Sequence, residues 1–528
     1  MSSPHFKLAL RQLAKNRGFT ALNIFGLTLG LTTFVLIALY VVDECSYDRC
    51  HTKADRIVRL NTDIFSDSKL IALADAAPPV ASTLVRDYPE VEAAARCLPE
   101  QGIRFRMGVQ DMTEHRVASV DASFFRVFTL PALEGDAAKS TEQPYTAVLS
   151  ASAARRYFNT THAVGCVLHR LHDNTNWSVV AVIADLPAQS SFQFDIFLSL
   201  RGTKIDKETS FYALYPMSTF VLLKPGVTRA AFDKSLSTVM RKYADQYAAM
   251  EDDNKGAWYM HINETPLTDI HLYSHRSDEI GINSDIQYIR IFSAIAVFVL
   301  LIAGINFMNL STARSANRAR EIGVRKVLGS LRRQLISQFL LESLLLTAIA
   351  AILAFGATTF LLYPFNYLTG KALSLHGATL FWLLPVMLII VAVFGLFSGA
   401  YPAFFLSGFR PVEVLKGRLA IGGKGSGLRS TLVILQFSIS LFLIAGTLVV
   451  HRQLNFIQHR DPGFNRDQVL LVKDIAGISN PAVLKSAIIK LPGVVSATMT
   501  DYLPAVGNRW HNWGNLKGNP GASKPNYG

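Results

Sequence analysis

Ala313-Arg-Ser-Ala-Asn-Arg-Ala-Arg-Glu-Ile-Gly-Val-Arg-Lys-Val-Leu-Gly-Ser-Leu-Arg-Arg333 is the stretch that decides the fold. Between Arg314 and Arg333 it holds seven basic residues and one acid, Glu321. Long apolar runs flank it, Ile289–Leu310 before and Leu335–Leu362 after. A charged helical segment between two such runs belongs at a membrane, on the cytoplasmic face. Val324, Leu328, Leu331 and Leu335 recur at i, i+4, i+7 and i+11, which predicts one apolar helix face. Arg325, Lys326, Arg332 and Arg333 fall on the other side, and Gly323 and Gly329 are expected to interrupt the helix.

The rest of the charge agrees with a membrane reading. The chain has 528 residues, half of them hydrophobic and only 17% charged, with a formal net charge of +13. Lys7, Arg11, Lys15 and Arg17 give residues 1–18 a charge of +4. Residues 311–334 carry +6, and Arg410, Lys416, Arg418, Lys424 and Arg429 against Glu413 give 407–430 another +4. Everything outside these three segments is close to neutral. The basic excess is therefore the positive-inside pattern of membrane-flanking loops, and no nucleic-acid partner is expected.

Five spans follow: 19–42, 288–310, 335–362, 380–406 and 431–450. With residues 1–18 in the cytoplasm, alternation puts 43–287, a short loop 363–379 and 451–528 outside, and 311–334 and 407–430 inside. The first run is long enough to cross a bilayer, and no small-residue cleavage site precedes Asp43-Glu44, so it reads as an anchor that is not removed. Gly26 and Gly30 within it form a small-xxx-small pair for helix packing.

Residues 43–287 hold no further span and predict a large α+β domain inserted between the first and second spans. Trp177–Ile183 and Phe220–Leu223 read as buried strands, and Ala81–Tyr88 and Arg229–Tyr247 as helices. Cys45, Cys50, Cys97 and Cys166 all fall between the first two spans or at their edge, with no pairing legible.

From about Leu428 the chain repeats itself. Asp467–Val472 parallels Asp55–Leu60, and Leu491-Pro492-Gly493-Val494 parallels Tyr88-Pro89-Glu90-Val91. Residues 451–528 are accordingly expected to be an incomplete second outer domain, and the chain a partial version of a two-half protein.

Catalytic motifs are missing from the 528 residues. Gly422-Gly423-Lys424-Gly425-Ser426-Gly427 lacks the spacing of a phosphate loop and reads as a flexible linker. His271 and His275 are spaced as on a helix, but the surrounding residues read as strand-like, so no zinc site is expected there. His169 and His172 read as surface residues, and no Gly-x-Ser-x-Gly elbow occurs. The chain is expected to be no enzyme and to bind no cofactor or metal of its own. Three polar residues fall inside spans: Asn306 and Asn309 read as interhelical hydrogen-bonding groups, and Glu342 as a candidate partner for an arginine of the charged stretch.

Arg320-Glu-Ile-Gly-Val-Arg-Lys-Val-Leu-Gly329 with Gln338-Phe-Leu-Leu-Glu-Ser343 resembles the FtsX-like, MacB-type permeases of ABC transporters. Asn23-Ile-Phe-Gly-Leu27, Ser46-Tyr-Asp-Arg49, Thr268-Asp-Ile-His-Leu-Tyr273, Ile305-Asn-Phe-Met-Asn-Leu310, Tyr401-Pro-Ala403 and Pro411-Val-Glu-Val-Leu-Lys416 are similar to the same family. The resemblance implies a multi-pass permease of the bacterial inner membrane with a MacB-type periplasmic domain. It implies mechanotransmission: a separate cytoplasmic ATPase dimer binds ATP and moves a coupling segment made of Arg320, Glu321, Ile322, Gly323, Val324, Arg325, Lys326, Leu328 and Gly329. Export of an antimicrobial or lipoprotein-type substrate is the expectation, with a periplasmic adaptor, lipoprotein or hydrolase activator as a further partner. An FtsX-like activator of cell-wall hydrolases, and a membrane receptor without an ATPase, are the alternatives.

Overall fold

The computed structural model describes chiefly residues 17–66, 69–107, 110–140, 142–211, 213–239, 258–328, 330–408, 426–461 and 480–500, with short pieces at 468–472, 513–515 and 523–525. In chain order the first elements are α1 (Arg17–Cys45), β1 (Ile57–Ser66), β2 (Lys69–Leu73), α2 (Pro78–Asp87), β3 (Val91–Glu100), β4 (Ile103–Met107), β5 (Gln110–Glu114) and β6 (Val117–Val120). Next come β7 (Ala132–Gly135), β8 (Thr146–Ser150), α3 (Ala151–Phe158), β9 (Val167–Arg170), β10 (Thr175–Ile183), β11 (Ile196–Ser199), β12 (Ser218–Leu223), α4 (Arg229–Leu236), β13 (Trp258–Pro266) and α5 (Leu267–Tyr273). The last long helices are α6 (Ile286–Val327), α7 (Arg332–Thr369), α8 (Ala378–Gly408) and α9 (Ser426–His459), followed by the short α10 (Pro481–Ile489). The chain divides into two compact units, Met1–Cys45 with Ile286–Asp467, and Ser46–Asp285 with Gln468–Gly528.

In the first unit, α1, α6, α7, α8 and α9 are each long and apolar enough to cross a membrane. Helices satisfy every backbone group internally, which is why apolar runs of this length adopt them in lipid. α1 packs on α6 and α7, α8 packs on both of those, and α9 touches α6. Lipid gives no hydrophobic drive for this association, so close approach has to supply it. Glycines allow that approach. A Cβ on Gly30 would lie 2.5 Å from the Ala303 Cβ, one on Gly304 would meet the Phe394 ring, and one on Gly395 would meet Leu344. Leu27, Leu31, Val35, Ala303, Phe307, Leu346, Ala350 and Ala354 fill the space these contacts define.

The second unit is built on one long sheet, in the order β13-β1-β12-β3-β6-β11-β8-β10-β9-β4-β5, with β2 also on β1 and β7 also on β10. Most neighbours are antiparallel, while β10 runs parallel to β8 and β11 parallel to β6. Side chains alternate between faces along each strand, and the cores follow that rule. Phe220 and Leu222, Val148, Phe197, Ala181 and Ile183 share one face with Phe124, Phe128 and Phe192. Val221 and Leu223 face the other way, beneath α2 and α4. Ala147, Leu149, Ile196 and Leu198 do so at the far end, beneath α3. Central strands buried on both faces explain why Ser218–Leu223 is buried at every position. The domain is α+β, with α2, α4 and α3 on one face of the sheet and α5 packed into the core on the other.

Several local expectations need correction. The helix expected at Ala81–Tyr88 begins earlier, at Pro78, because Pro79 lies in the first turn, where its missing N–H costs nothing. The helix expected over Arg229–Tyr247 is described as α4 to Leu236, and most of the remainder lies outside the described residues. In the repeat, Gln468–Val472 forms no strand, unlike Ile57–Leu60 in β1. α10 resembles α2 in two respects: Pro78 and Pro481 each open a helix, and each lies 11 residues before another proline, Pro89 or Pro492. Residues 409–425, with Pro411–Lys416 and most of the glycine-rich linker, lie outside the described residues.

Candidate functional site

The charged stretch is the continuation of a membrane helix. α6 runs without a break from Ile286 to Val327, 42 residues. At 1.5 Å per residue that is about 63 Å, twice the ~30 Å hydrocarbon thickness. Its candidate membrane span is Ile286–Thr312, and the apolar run of the sequence ends at Leu310. Arg320, Glu321, Ile322, Gly323, Val324, Arg325 and Lys326 all belong to the same helix beyond that point. Gly323 therefore does not interrupt the helix; a single glycine costs only about 1 kcal/mol in a helix interior, too little to end one by itself.

The expected apolar stripe is overturned as well. The helix stops at Val327 and α7 starts at Arg332, so Val324, Leu328, Leu331 and Leu335 do not share one helical face. Leu328 and Leu331 are 80% and 65% exposed in the connection, whereas Leu335 is buried in α7. Gly329 lies outside the described residues. The Leu331 N–H is capped by the Gln334 side chain, 3.1 Å away, which sets the start of α7.

Among the intramembrane polar residues, Asn306 faces Gly26, where a Cβ would come 3.3 Å from its Nδ2. The Asn309 carbonyl accepts from the Thr312 hydroxyl at 2.9 Å, and Glu342 is buried in α7 beside Phe339, Ser343 and Leu346. A charged group that the sequence left unremarked lies at the other end of α1. Lys371, in the α7–α8 loop, places its Nζ 2.6 Å from Glu44 and 3.3 Å from Asp43. One turn in from there, the Tyr40 ring packs edge-on against Phe292 of α6.

The two segments that lead out of the second unit are tied down in detail. Just past α1, the Asp48 N–H donates to the Gln189 carbonyl at 2.9 Å, and its carboxylate accepts from both the N–H and the hydroxyl of Ser191. Burial pushes the Asp48 carboxyl upward, against the pull of those two donors. The Tyr47 ring stacks on His271 with centroids 3.5 Å apart. Ahead of α6, Arg59 forks onto Glu279 and donates to the Ser274 hydroxyl, and Arg276 pairs with Asp63. His271 lies in α5, so the strand-like reading of that stretch is corrected; the helix ends before His275, which pairs instead with Asp285. His169 meets the Asn176 side chain in an exposed hydrogen bond across the β9–β10 pair, and His172 is exposed. Cys50, Cys97 and Cys166 are free thiols, with Cys97 fully buried.

Two family profiles match this architecture. Residues 20–239 match the MacB-like periplasmic core domain, and residues 293–411 match the FtsX-like permease C-terminal family. The chain carries a MacB-like periplasmic core domain followed by an FtsX-like permease domain. Among its relatives is the macrolide export ATP-binding/permease protein MacB of Campylobacter jejuni, 32% identical over 124 residues, which are 23% of this chain and 19% of that protein. The ABC transporter permease YknZ of Bacillus subtilis is 44% identical over 66 residues, 12% of this chain and 17% of that protein. The periplasmic region of MacB from Actinobacillus actinomycetemcomitans aligns over 38% of this chain and 87% of its own, at 16% identity and a TM-score of 0.27. The chain matches only about a fifth of the length of the first of these relatives. The periplasmic core match includes all but the first three residues of α1, and the FtsX match includes the whole charged part of α6.

Proposed function

We propose that the chain is the permease part of an ABC transporter in a bacterial inner membrane, with its N-terminus cytoplasmic. A cytoplasmic ATP-binding partner supplies the energy, and the permease carries the resulting motion to its outer domain. The single observation behind this reading is the continuity of α6. One helix begins at the end of the outer domain, crosses the membrane-capable segment and runs on for fifteen residues that include Arg320–Lys326. A rigid element of this kind moves its two ends together, and a partner drives it only by binding two of its conformations with different affinity.

The +6 charge of 311–334 and the exposed Leu328 and Leu331 offer that partner both attraction and an apolar contact. Because the relatives bearing the name of a macrolide exporter match over a limited length, export of an antimicrobial or lipoprotein-type cargo is part of the proposal. No described feature favours a water-filled path through the helices, so the work is assigned to the outer face. Co-purification of an ATPase whose activity rises on adding the permease supports the reading. Glu321→Lys and Gly329→Trp should abolish that rise while the permease still folds; full stimulation of the ATPase by both variants removes the coupling assignment.

A further inference from the structure

The segments on either side of the outer domain, 46–52 and 274–285, are far apart in sequence and each is densely bonded. What joins them is a pair of shared supports. The first is Ser191. Its N–H and hydroxyl both donate to Asp48, and its backbone carbonyl lies where a Cβ on Gly281 would be, 2.1 Å away. The second is His271 at the end of α5. Its ring lies under Tyr47, and its carbonyl accepts the Ser284 N–H at 2.8 Å. Each support therefore touches both segments, one on each side.

Both supports are themselves fixed. Phe192, next to Ser191, is buried in the aromatic core with Phe124, Phe128 and Phe220, and His51 of the first segment packs against Phe128 and Phe192. α5 is held by Leu267 and Ile270 in the same core. The second segment has additional ties: Ser277 exchanges backbone bonds with Ala72 and Ala74 at β2, and within the segment Asn283 donates to the Ser274 carbonyl.

We propose that Ser191 and His271 form a common mount that couples the two segments, so that displacing either one loosens the other. This deepens the transmission reading and rests on it for its purpose: motion arriving along α1 or α6 reaches the outer domain at one place. Contacts that share a partner lose their independence in this way, whereas separate anchors behave additively.

Hydrogen exchange on the full chain in detergent micelles tests the mount without any ATPase. Asp48→Asn should raise exchange of the Ser284 amide and its neighbours roughly five- to tenfold, and Gly281→Ala should do the same for the Asp48 amide. Amides of 103–107 and 110–114, at the far end of the sheet, should keep their wild-type rates. Ser191→Ala, a milder change, should loosen both segments at once. Exchange that rises only in the segment mutated, or Ser191→Ala affecting 47–49 alone, overturns the proposal; an equal rise at 103–114 overturns it too, as general loosening. Coupling that is present while ATPase stimulation is absent would instead leave the mount standing and remove the transmission reading.

Discussion

The imidazole of His271 lies flat on the phenol of Tyr47, with ring planes 2° apart. An aromatic stack of this kind contributes about 1 kcal/mol beyond its buried area. Tyr47→Phe retains the ring and should leave the melting temperature within a degree or so, whereas Tyr47→Ala should lower stability by about 2–3 kcal/mol. Thermal unfolding followed by intrinsic fluorescence checks both. Equal losses in the two variants would assign the effect to the hydroxyl and not to the stack.

Gly30 is the tightest of the helix contacts, with a built Cβ only 2.5 Å from the Ala303 Cβ. Gly30→Val must separate α1 from α6, and overpacking of this sort costs about 1–3 kcal/mol. Gly30→Ala alone should carry a smaller loss, and adding Ala303→Gly returns the original number of carbons to the gap and should recover most of it. Thermal stability in detergent for the single and double variants gives the coupling directly.

At the C-terminal end of α1 the Lys371 ammonium sits 2.6 Å from Glu44, whose side chain is 3% exposed. Lys371→Met removes a charge while the carboxylate stays buried, a change that costs on the order of 3 kcal/mol. Adding Glu44→Gln should restore part of it, because the uncompensated charge then disappears. If Lys371→Met alone is neutral, the pair is not what holds the α7–α8 loop to α1.

These contacts mark what was readable beforehand. Five helices follow from apolar run length, and Phe220–Leu223 appears inside β12 because a strand buried on both faces is apolar throughout. Trp177–Ile183 appears inside β10, where Trp177, Val179 and Ala181 are buried while Ser178 between them is exposed. The motifs around Tyr47 and His271 were both visible, yet nothing local tells that two residues 224 positions apart will stack. The apolar stripe from Val324 to Leu335 misled for the opposite reason. Periodicity can continue by chance across a four-residue break, and only a cap such as the Gln334 bond to Leu331 shows where one helix ends and another begins. The helix holding His271 escaped because it is only seven residues long, too short for a periodic signal.

The pH dependence of the outer domain should show two opposed contributions. Asp75 is 2% exposed, and burial, reinforced by Asp278, pushes its carboxyl up to about 7. Its folded value is above its unfolded one, so the native state keeps a proton that the unfolded chain has lost. Stability from this group is full below about pH 4 and declines as pH rises towards 7. His51, 3% exposed between Phe128 and Phe192, is pushed down by burial to about 4. There the unfolded chain binds the extra proton, so stability climbs between about pH 4 and 6.5. Each group contributes on the order of a few kcal/mol, and in the shared window the two offset one another. Relative to wild type, Asp75→Asn should therefore gain stability more steeply from pH 4.5 to 6.5 and lose the decline approaching pH 7. His51→Gln should tilt the same profile the other way. Melting temperatures of the three proteins across pH 4.5–8 decide the matter, and parallel profiles for all of them would mean that neither group changes its protonation on folding.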